Sequence, residues 1–257
     1  MVNNSTHNVK IPERVHIAPV GFEIDRVVLP FLEMKGERIH LIVRKERNAR
    51  GDQCVEGIIQ DLKRHSKPFE LHKIDLDLFK IIYVCRQVIE EELKLKNHVF
   101  VNISSGGSIQ AVASHFATLT FRDGVSAYYA YPASYVEKVD PSRPQASSGI
   151  SRIEVIPHYS IELPDDSELD FLKIVAEARI PSKRAILEEC RSRGIISPEG
   201  KSKPYGHVVL ENKFVKPLES SGLLMVVDKG RRSRISLTEK GLNTLHLSGW
   251  FGEARRD

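Results

Sequence analysis

Short runs rich in β-branched residues alternate with longer amphipathic stretches between Val15 and Ile161, and this alternation constrains the fold more than any other feature. It is typical of a parallel sheet whose strands are joined by covering helices. Strands are predicted at residues 15–18, 38–43, 69–74, 98–103, 127–131 and 152–156, and helices at 52–65, 79–93 and 107–118. The sequence therefore predicts an α/β domain with a mostly parallel sheet and helices on both faces.

Two breaks interrupt this pattern. Residues 134–151 contain prolines and serines but few apolar anchors, which predicts a long loop or hairpin excursion. A proline and two aspartates at 164–166 precede a new helical stripe, so we expect a domain boundary near Leu163. The chain is thus divided into an N-terminal domain, residues 1–163, and a C-terminal domain, residues 164–257.

Two glycine-containing turns follow the first and fourth predicted strands. The carboxyl ends of parallel strands meet helix N-termini in a crevice that offers backbone N–H groups to an anion. Glycines let a phosphate approach the backbone there, and serines add hydroxyl donors. Tight strand-to-helix turns also require glycine for steric reasons alone, and each turn by itself fits both interpretations. The residues predicted to bind a phosphate-bearing ligand are Pro19, Val20, Gly21, Phe22, Asn102, Ser104, Ser105, Gly106, Gly107 and Ser108.

Three helical segments open the C-terminal domain. Ser167 is placed to cap the first, and Ser182 begins the second. The third is predicted from Pro204 to Ser221. Pro217 removes a backbone hydrogen bond near its end, so we expect the helix to kink or tighten there. The apolar stripe of this helix consists of Val208, Leu210, Phe214 and Leu218.

A hairpin with a basic tip follows the third helix, and a final helix opens at Thr238. The hairpin is predicted over 223–237, with Lys229, Gly230, Arg231 and Arg232 at its turn. Three helices and a basic-tipped hairpin in this order resemble the winged helix-turn-helix family. The junction residues that match this family are Leu218, Gly222, Leu223 and Leu224.

Positive charge is concentrated in this winged helix segment. Residues 179–240 hold fourteen basic and seven acidic residues, whereas the whole chain has a net charge of only +4. In the family, the third helix enters the major groove of double-stranded DNA while the wing contacts its backbone. The alternative is a winged helix that contacts another protein and carries these charges as a solvated face. The candidate DNA contacts are Lys203, Tyr205, His207, Asn212 and Lys213 on the third helix, and Arg231, Arg232 and Arg234 on the wing.

The two glycine turns, taken together, resemble the CARF domain, the Rossmann-like sensor of CRISPR-associated proteins. The resemblance is carried by residues 15–22 with Asp25 and Arg26, and by residues 102–108. CARF domains joined to a C-terminal winged helix form a family of prokaryotic transcriptional regulators. The resemblance implies a homodimer whose ligand turns meet across a two-fold axis. It also implies a small nucleotide ligand such as a cyclic oligoadenylate, for example cyclic tetra-adenylate.

Three functional hypotheses follow. The first is a ligand-responsive transcriptional regulator without catalytic residues. The second is an enzyme that cleaves its cyclic oligonucleotide, with Ser104, Ser105 and Ser108 as hydroxyl donors, although neither turn holds a Lys or His that could protonate a leaving group. The third is a sensor of another phosphorylated metabolite whose winged helix binds DNA constitutively. Tyr131 and Pro132, after the fifth strand, are expected to line the same crevice, although aromatic residues there are equally often core.

Several other classes find no support. No apolar run approaches the roughly 20 residues of a membrane span, and the polar start lacks the features of a signal peptide, so we expect a cytoplasmic protein without a membrane partner. Cys54, Cys85 and Cys190 are far apart and are expected to be ordinary buried thiols. The histidines are dispersed, so no metal site, cofactor or catalytic triad is predicted. The first turn lacks G-x-G-x-x-G, which disfavours a nicotinamide oxidoreductase.

Overall fold

Two units make up the chain, Met1–Ile161 and Glu162–Asp257. The structure, a computed structural model, describes residues 11–46, 48–178, 182–197, 203–227 and 233–252. For Lys203 and Pro204 it describes the backbone alone.

A six-stranded sheet forms the first unit. Its strands are β1 (Arg14–Pro19), β2 (Arg38–Arg44), β3 (Phe69–Ile74), β4 (His98–Asn102), β5 (Val125–Tyr135) and β6 (Ser147–Val155). Their order across the sheet is β3-β2-β1-β4-β5-β6, in which β1 to β5 pair in parallel and β6 is antiparallel to β5. The predicted mostly parallel sheet is confirmed. Strand order reverses between β1 and β4, which brings the two glycine turns side by side.

Helices cover both faces of this sheet, as predicted. They are α1 (Asp25–Glu33), α2 (Ala49–Arg64), α3 (Leu78–Lys94) and α4 (Ser108–Leu119). α1 and α2 cover one face, over a core that includes Val27, Leu41 and Ile58. α3 packs against α4 on the other face, where Glu92 of α3 contacts His40 of β2.

Strands β5 and β6 form a longer hairpin than the sequence predicts. Both strands extend into the predicted excursion at 134–151, so the loop is reduced to residues 136–146. Pairing shifts register between Tyr131 and Pro132. A proline has no N–H to donate to the ladder, which is why it is tolerated at such an irregularity.

Asp25, at the start of α1, ties this hairpin to the helical layer. Its carboxylate accepts hydrogen bonds from Arg143 Nη2 at 2.5 Å, Gln145 Nε2 at 2.9 Å and the Gly149 backbone N–H at 2.8 Å. Burial alone would raise the pKa of Asp25, but the Gly149 N–H together with Arg143 and Gln145 holds it below its ordinary value. The aspartate is therefore ionised at neutral pH, and the loop is fixed rather than loose.

The second unit contains helices and a two-stranded hairpin in the predicted order. Its elements are α5 (Asp166–Glu177), α6 (Lys183–Ser192), α7 (Lys203–Val209), a π-helical turn (Leu210–Val215), α8 (Lys216–Ser220), β7 (Leu224–Val227), β8 (Arg234–Leu237) and α9 (Glu239–Leu247). The stacked rings of Phe171 and Phe214, 4.9 Å apart, lie in its buried core. The predicted winged helix-turn-helix fold is confirmed.

Three local predictions in this unit are wrong. Asp165, not Ser167, caps α5, because its carboxylate accepts the Glu168 backbone N–H at 2.8 Å. Of the two outcomes expected near Pro217, tightening is wrong, because the third helix widens into the π-helical turn instead. Val208 does not belong to the apolar stripe, because it is 53% exposed.

The cysteines are buried, as predicted. Burial raises the pKa of Cys85 to about 11 and the pKa of Cys190 to about 12, so both stay protonated at neutral pH. None of the described helices combines the length and apolar character that a bilayer span requires.

Candidate ligand cleft and candidate nucleic-acid interface

The two glycine turns are fastened directly to each other. The Gly21 N–H donates to the Ser105 carbonyl at 3.0 Å, and Ser105 Oγ donates to the Pro19 carbonyl at 2.6 Å. A Cβ at Gly21 would lie 2.8 Å from the Ser105 carbonyl oxygen, and one at Gly106 would lie 2.7 Å from the Pro19 side chain. Both glycines are therefore required by the contact between the turns, whatever they bind.

Asn102 holds the second turn from below. Its amide Nδ2 donates to the Arg26 carbonyl at 2.7 Å, and its Oδ1 accepts from both the backbone N–H and the hydroxyl of Ser104. The side chain is fully buried. Asn102 thus positions Ser104 instead of lining a ligand surface.

A cleft of about 630 Å³ lies above the joined turns. Three of the predicted residues, Pro19, Asn102 and Ser108, are not among its lining residues. Pro19 and Asn102 are engaged in holding the turns, and Ser108 is the exposed first residue of α4. The predicted residues that do line the cleft are Val20, Gly21, Phe22, Ser104, Ser105, Gly106 and Gly107.

Charged side chains that the sequence reading missed complete the walls. Arg44, Lys45 and Lys73 come from the carboxyl ends of β2 and β3. The acidic lining residues are Glu23, Asp52 and Glu56. The basic residues were predictable in principle. The strands next to the point where the strand order reverses also have their carboxyl ends at the crevice.

Arg26 lies in the cleft wall with one nitrogen unsatisfied. Its side chain is only 7% exposed. Nε donates to the Ala130 carbonyl at 2.9 Å, Nη1 lies 3.3 Å from the Glu23 carboxylate, and the guanidinium lies 5.0 Å from the centre of the Tyr129 ring. The remaining nitrogen, Nη2, is buried and has no hydrogen-bond partner among the described residues.

Gln110, on the first turn of α4, presents a second such group. Its Oε1 accepts the Gly107 backbone N–H at 3.1 Å, while Nε2 is buried without a hydrogen-bond partner in the described part of the chain. A buried donor without an acceptor costs about 1–3 kcal/mol. Arg26 and Gln110, the residues that carry these two donors, both line one cleft, so a ligand that supplies acceptors there, such as an anion, can satisfy the donors once the side chains turn toward it.

The aromatic side chains near the cleft differ in role. Phe22 lines the cleft and is 38% exposed, with the Arg50 guanidinium 4.7 Å from its ring centre. Tyr131 and Pro132, expected to line the crevice, are not lining residues. The ring of Tyr131 instead packs against the Arg152 guanidinium at 3.9 Å on the antiparallel hairpin.

The third helix of the second unit carries an exposed polar and aromatic face. Lys203 is described by its backbone only, and the other predicted contacts there, Tyr205, His207, Asn212 and Lys213, are all exposed. Val208, three residues after Tyr205, shares its exposed face. Lys216, which the sequence reading missed, is exposed as well, and its Nζ donates to Asn212 Oδ1 at 3.1 Å.

On the wing, Arg234 is exposed in β8, whereas Arg231 and Arg232 lie outside the described residues. Glu211 on the third helix is paired with Lys183 of α6 at 2.8 Å. This pair offsets an acidic charge on the helix and joins the second and third helices. The lysine and arginine side chains that this described surface exposes are Lys213, Lys216 and Arg234.

The fold and site define an α/β domain with a cleft lined by polar and charged side chains, followed by a winged helix domain. Two family models match these parts. Residues 14–135 match the model described as HFX_2341_N-like, N-terminal, and residues 167–249 match the DUF6293 C-terminal winged helix domain.

Individual relatives are more distant. The uncharacterized protein MJ1513 of Methanocaldococcus jannaschii is 24% identical over 193 residues, covering 66% of this chain and 58% of that protein. Csm6 of Enterococcus italicus, bound to cyclic hexa-2'-fluoro-hexa-dAMP, is 11% identical with a TM-score of 0.44, covering 83% of this chain and 57% of that chain. Can2 from Sulfobacillus thermosulfidooxidans, in complex with cyclic tetra-adenylate, is 11% identical with a TM-score of 0.40, and the match covers 93% of this chain and 64% of that chain. The chain thus spans less than two thirds of each of these proteins, and likeness at this level transfers neither ligand nor activity.

Proposed function

We propose that this protein is a ligand-responsive DNA-binding regulator. Its α/β domain binds a nucleotide-type anion in the cleft, and its winged helix binds double-stranded DNA. The observation that carries the proposal is that two residues lining one cleft, Arg26 and Gln110, each hold a buried donor without a hydrogen-bond partner among the described residues, on a chain that also holds a winged helix.

The cleft has the size and chemistry for a nucleotide. Its volume of about 630 Å³ falls within the range of roughly 300–1,000 Å³ typical of small-molecule sites. The N-terminus of α4 at Gly107 favours negative charge, and Lys45 and Lys73 add cations at the walls. Phe22 offers a partly exposed ring on which a base can stack. Within this class, cyclic tetra-adenylate is the candidate that the CARF resemblance implies.

A homodimer is part of the proposal. The exposed face of α4 carries three apolar side chains at helical spacing, Ile109, Val112 and Phe116, which are 42%, 49% and 39% exposed. Ile109 also lines the cleft. A second copy packed on this face would bury the stripe and bring two clefts together at a two-fold axis. A cyclic ligand with internal symmetry fits such a paired site.

DNA binding rests on the third helix and the wing. Tyr205, Asn212 and Lys213 are exposed on the helix that winged helix proteins insert into the major groove. Arg234 is exposed on the wing strand β8. Because these side chains contribute little to the buried core, they are free to be used for recognition.

A thermal-shift screen tests the ligand half of the proposal. Cyclic tetra-adenylate is compared with cyclic hexa-adenylate, AMP, ATP and inorganic phosphate. A ligand at 100 times its dissociation constant stabilises the protein by about 2.7 kcal/mol. We expect cyclic tetra-adenylate to raise the melting temperature most; a larger shift with ATP or AMP would identify another phosphorylated metabolite. Linear oligonucleotides formed when the protein is incubated with cyclic tetra-adenylate would reveal that it cleaves this ligand.

Gln110→Glu is the sharpest variant for this screen. The new carboxylate still accepts the Gly107 N–H and suits the first turn of a helix, so the fold is kept. It replaces the unpartnered donor by an acceptor, so ligand stabilisation should disappear. Gln87→Glu, which places the same charge on an exposed position of α3, is the matched control and should respond like the wild type. Equal shifts in all three proteins would contradict an anion site at Gln110.

A further inference from the structure

Two histidines and a glutamate meet on the sheet face opposite the cleft. His40 Nδ1 lies 2.9 Å from His72 Nε2 and 3.6 Å from a carboxylate oxygen of Glu70. His40 pairs with Glu70 directly across β2 and β3, and His72 is two residues further along β3 on the same face. The three ligand atoms all lie within 4.8 Å of one another.

We propose that His40, Glu70 and His72 form a binding site for a divalent transition metal ion, with Zn²⁺ as the favoured ion. Imidazole nitrogen and carboxylate oxygen are the ligand types that zinc takes from proteins. Ligand atoms about 2.0–2.1 Å from a tetrahedral ion are separated from one another by roughly 3.3 Å. Two of the three separations between ligand atoms, 2.9 and 3.6 Å, lie on either side of that value and the third is within 4.8 Å, so modest side-chain movements suffice.

A second carboxylate orients the central histidine. His40 Nε2 lies 3.2 Å from Glu92 Oε1, and Glu92 is itself buried and held by Arg38 and Asn97. Because a carboxylate only accepts, Nε2 carries the proton, and in the neutral ring Nδ1 then presents its lone pair toward His72 and Glu70. A carboxylate–histidine–metal arrangement of this kind is common behind metal-ligating histidines.

The site has a structural consequence for the cleft. β3 is an edge strand of the sheet, and its side chains alternate between the two faces. Glu70 and His72 belong to the metal cluster, whereas Leu71 and Lys73 line the cleft. An ion shared by β2 and β3 would fasten the strand that carries Lys73.

Zinc titration of the chelator-treated full chain tests the proposal. We expect saturable binding of one Zn²⁺ per chain by calorimetry, and a visible spectrum of four-coordinate Co²⁺ when cobalt replaces zinc. His72→Ala and Glu70→Gln should each weaken zinc binding at least about tenfold. Glu70 is 59% exposed in its side chain, so Glu70→Gln leaves the fold intact even if the histidine variant fails to fold.

His98→Ala is the matched control, because His98 is an exposed histidine on β4 of the same sheet. It should bind zinc like the wild type. If wild type, Glu70→Gln and His72→Ala bind zinc equally, or if wild type gives neither saturable binding nor the cobalt spectrum, then His40 and His72 form only a hydrogen-bonded pair and the proposal is wrong.

Discussion

The cleft and the third helix of the winged helix place their recognition groups in opposite surroundings. At the cleft, Arg26 and Gln110 are buried, and their remaining polar atoms bond to the protein itself. On the third helix, Tyr205 and Lys213 are exposed and lie outside the buried core. At the cleft, the same side chains are used for ligand recognition and for the stability of the fold. On the third helix, the side chains used for recognition contribute little to stability.

This difference predicts how substitutions behave. Changes around the cleft should alter the free energy of unfolding as well as ligand binding, because the same bonds join the two turns and the hairpin. Changes on the third helix should alter DNA binding while leaving the free energy of unfolding nearly unchanged.

Asp25→Ala should produce the largest loss of stability. It removes the acceptor of Arg143, Gln145 and the Gly149 N–H, which are three hydrogen bonds to one charged, partly buried carboxylate. We expect a loss of about 3 kcal/mol, because Arg143 is 40% exposed and keeps Asp61 as a partner. Urea unfolding at neutral pH measures this loss. Asp52→Ala, an exposed aspartate of the cleft wall, should cost less than about 1 kcal/mol.

The same variant has a defined pH dependence. The folded-state pKa of Asp25 lies below its ordinary value of 3.8, so its contribution is fully present above pH 3.8 and is lost as the pH falls through the folded-state pKa. The stabilities of wild type and Asp25→Ala should therefore converge in acid. A constant difference down to the lowest pH at which both fold would contradict this role of the carboxylate.

Gly106→Ala should produce the next largest effect. The added Cβ would lie 2.7 Å from Pro19 Cβ and 2.9 Å from Gln110 Cβ, so the joined turns must separate. We expect a loss of about 2 kcal/mol, measured by urea unfolding, together with loss of ligand stabilisation. Gly107→Ala is the control, because its nearest new contact is an ordinary 3.7 Å from Gln110 Oε1 and it should cost less than about 1 kcal/mol. Equal losses in both variants would disprove the turn-to-turn contact as the reason for Gly106.

Lys213→Ala should have the smallest effect on stability, within about 0.5 kcal/mol. The logarithm of DNA affinity falls as the logarithm of salt concentration rises. If Lys213 contacts a phosphate, its removal should make this negative slope shallower by about 0.9. Anisotropy titrations at several salt concentrations measure this slope. Lys94→Ala, an exposed lysine of α3, should leave it unchanged. A DNA slope that is the same for both variants would exclude Lys213 as a phosphate contact.

Periodicity and capping in the sequence predict most of the fold. Each predicted strand corresponds to an observed strand, and Ser182 caps α6 as expected. Ser167 was misassigned because the helix begins two residues earlier, where Asp165 accepts the Glu168 backbone N–H and forms the capping box with Glu168. The Ser167 hydroxyl donates to Asp165 Oδ1. Val208 was misassigned because, at 3.6 residues per turn, it lies roughly 160° around the helix from Leu210, on the side opposite the buried stripe.

The cleft is only partly readable from the sequence. The glycine turns are a local signal, whereas Arg26, Lys45 and Lys73 reach the cleft through the topology of the sheet. The cluster of His40, Glu70 and His72 depends on the register between β2 and β3, which sequence spacing does not encode. Asn102 shows the converse, because it was predicted to bind the ligand, whereas its side chain holds the second turn.

Coupling between the two sites is the central claim, and one measurement tests it directly. DNA affinity is determined by anisotropy, on a duplex selected by the protein from a random pool, with and without saturating cyclic tetra-adenylate. We expect the ligand to change the dissociation constant of wild type by roughly 5–150-fold, and to leave that of Gln110→Glu unchanged. If cyclic tetra-adenylate raises the melting temperature of the wild type but leaves its DNA affinity the same, the cleft and the winged helix are not coupled and the account is contradicted.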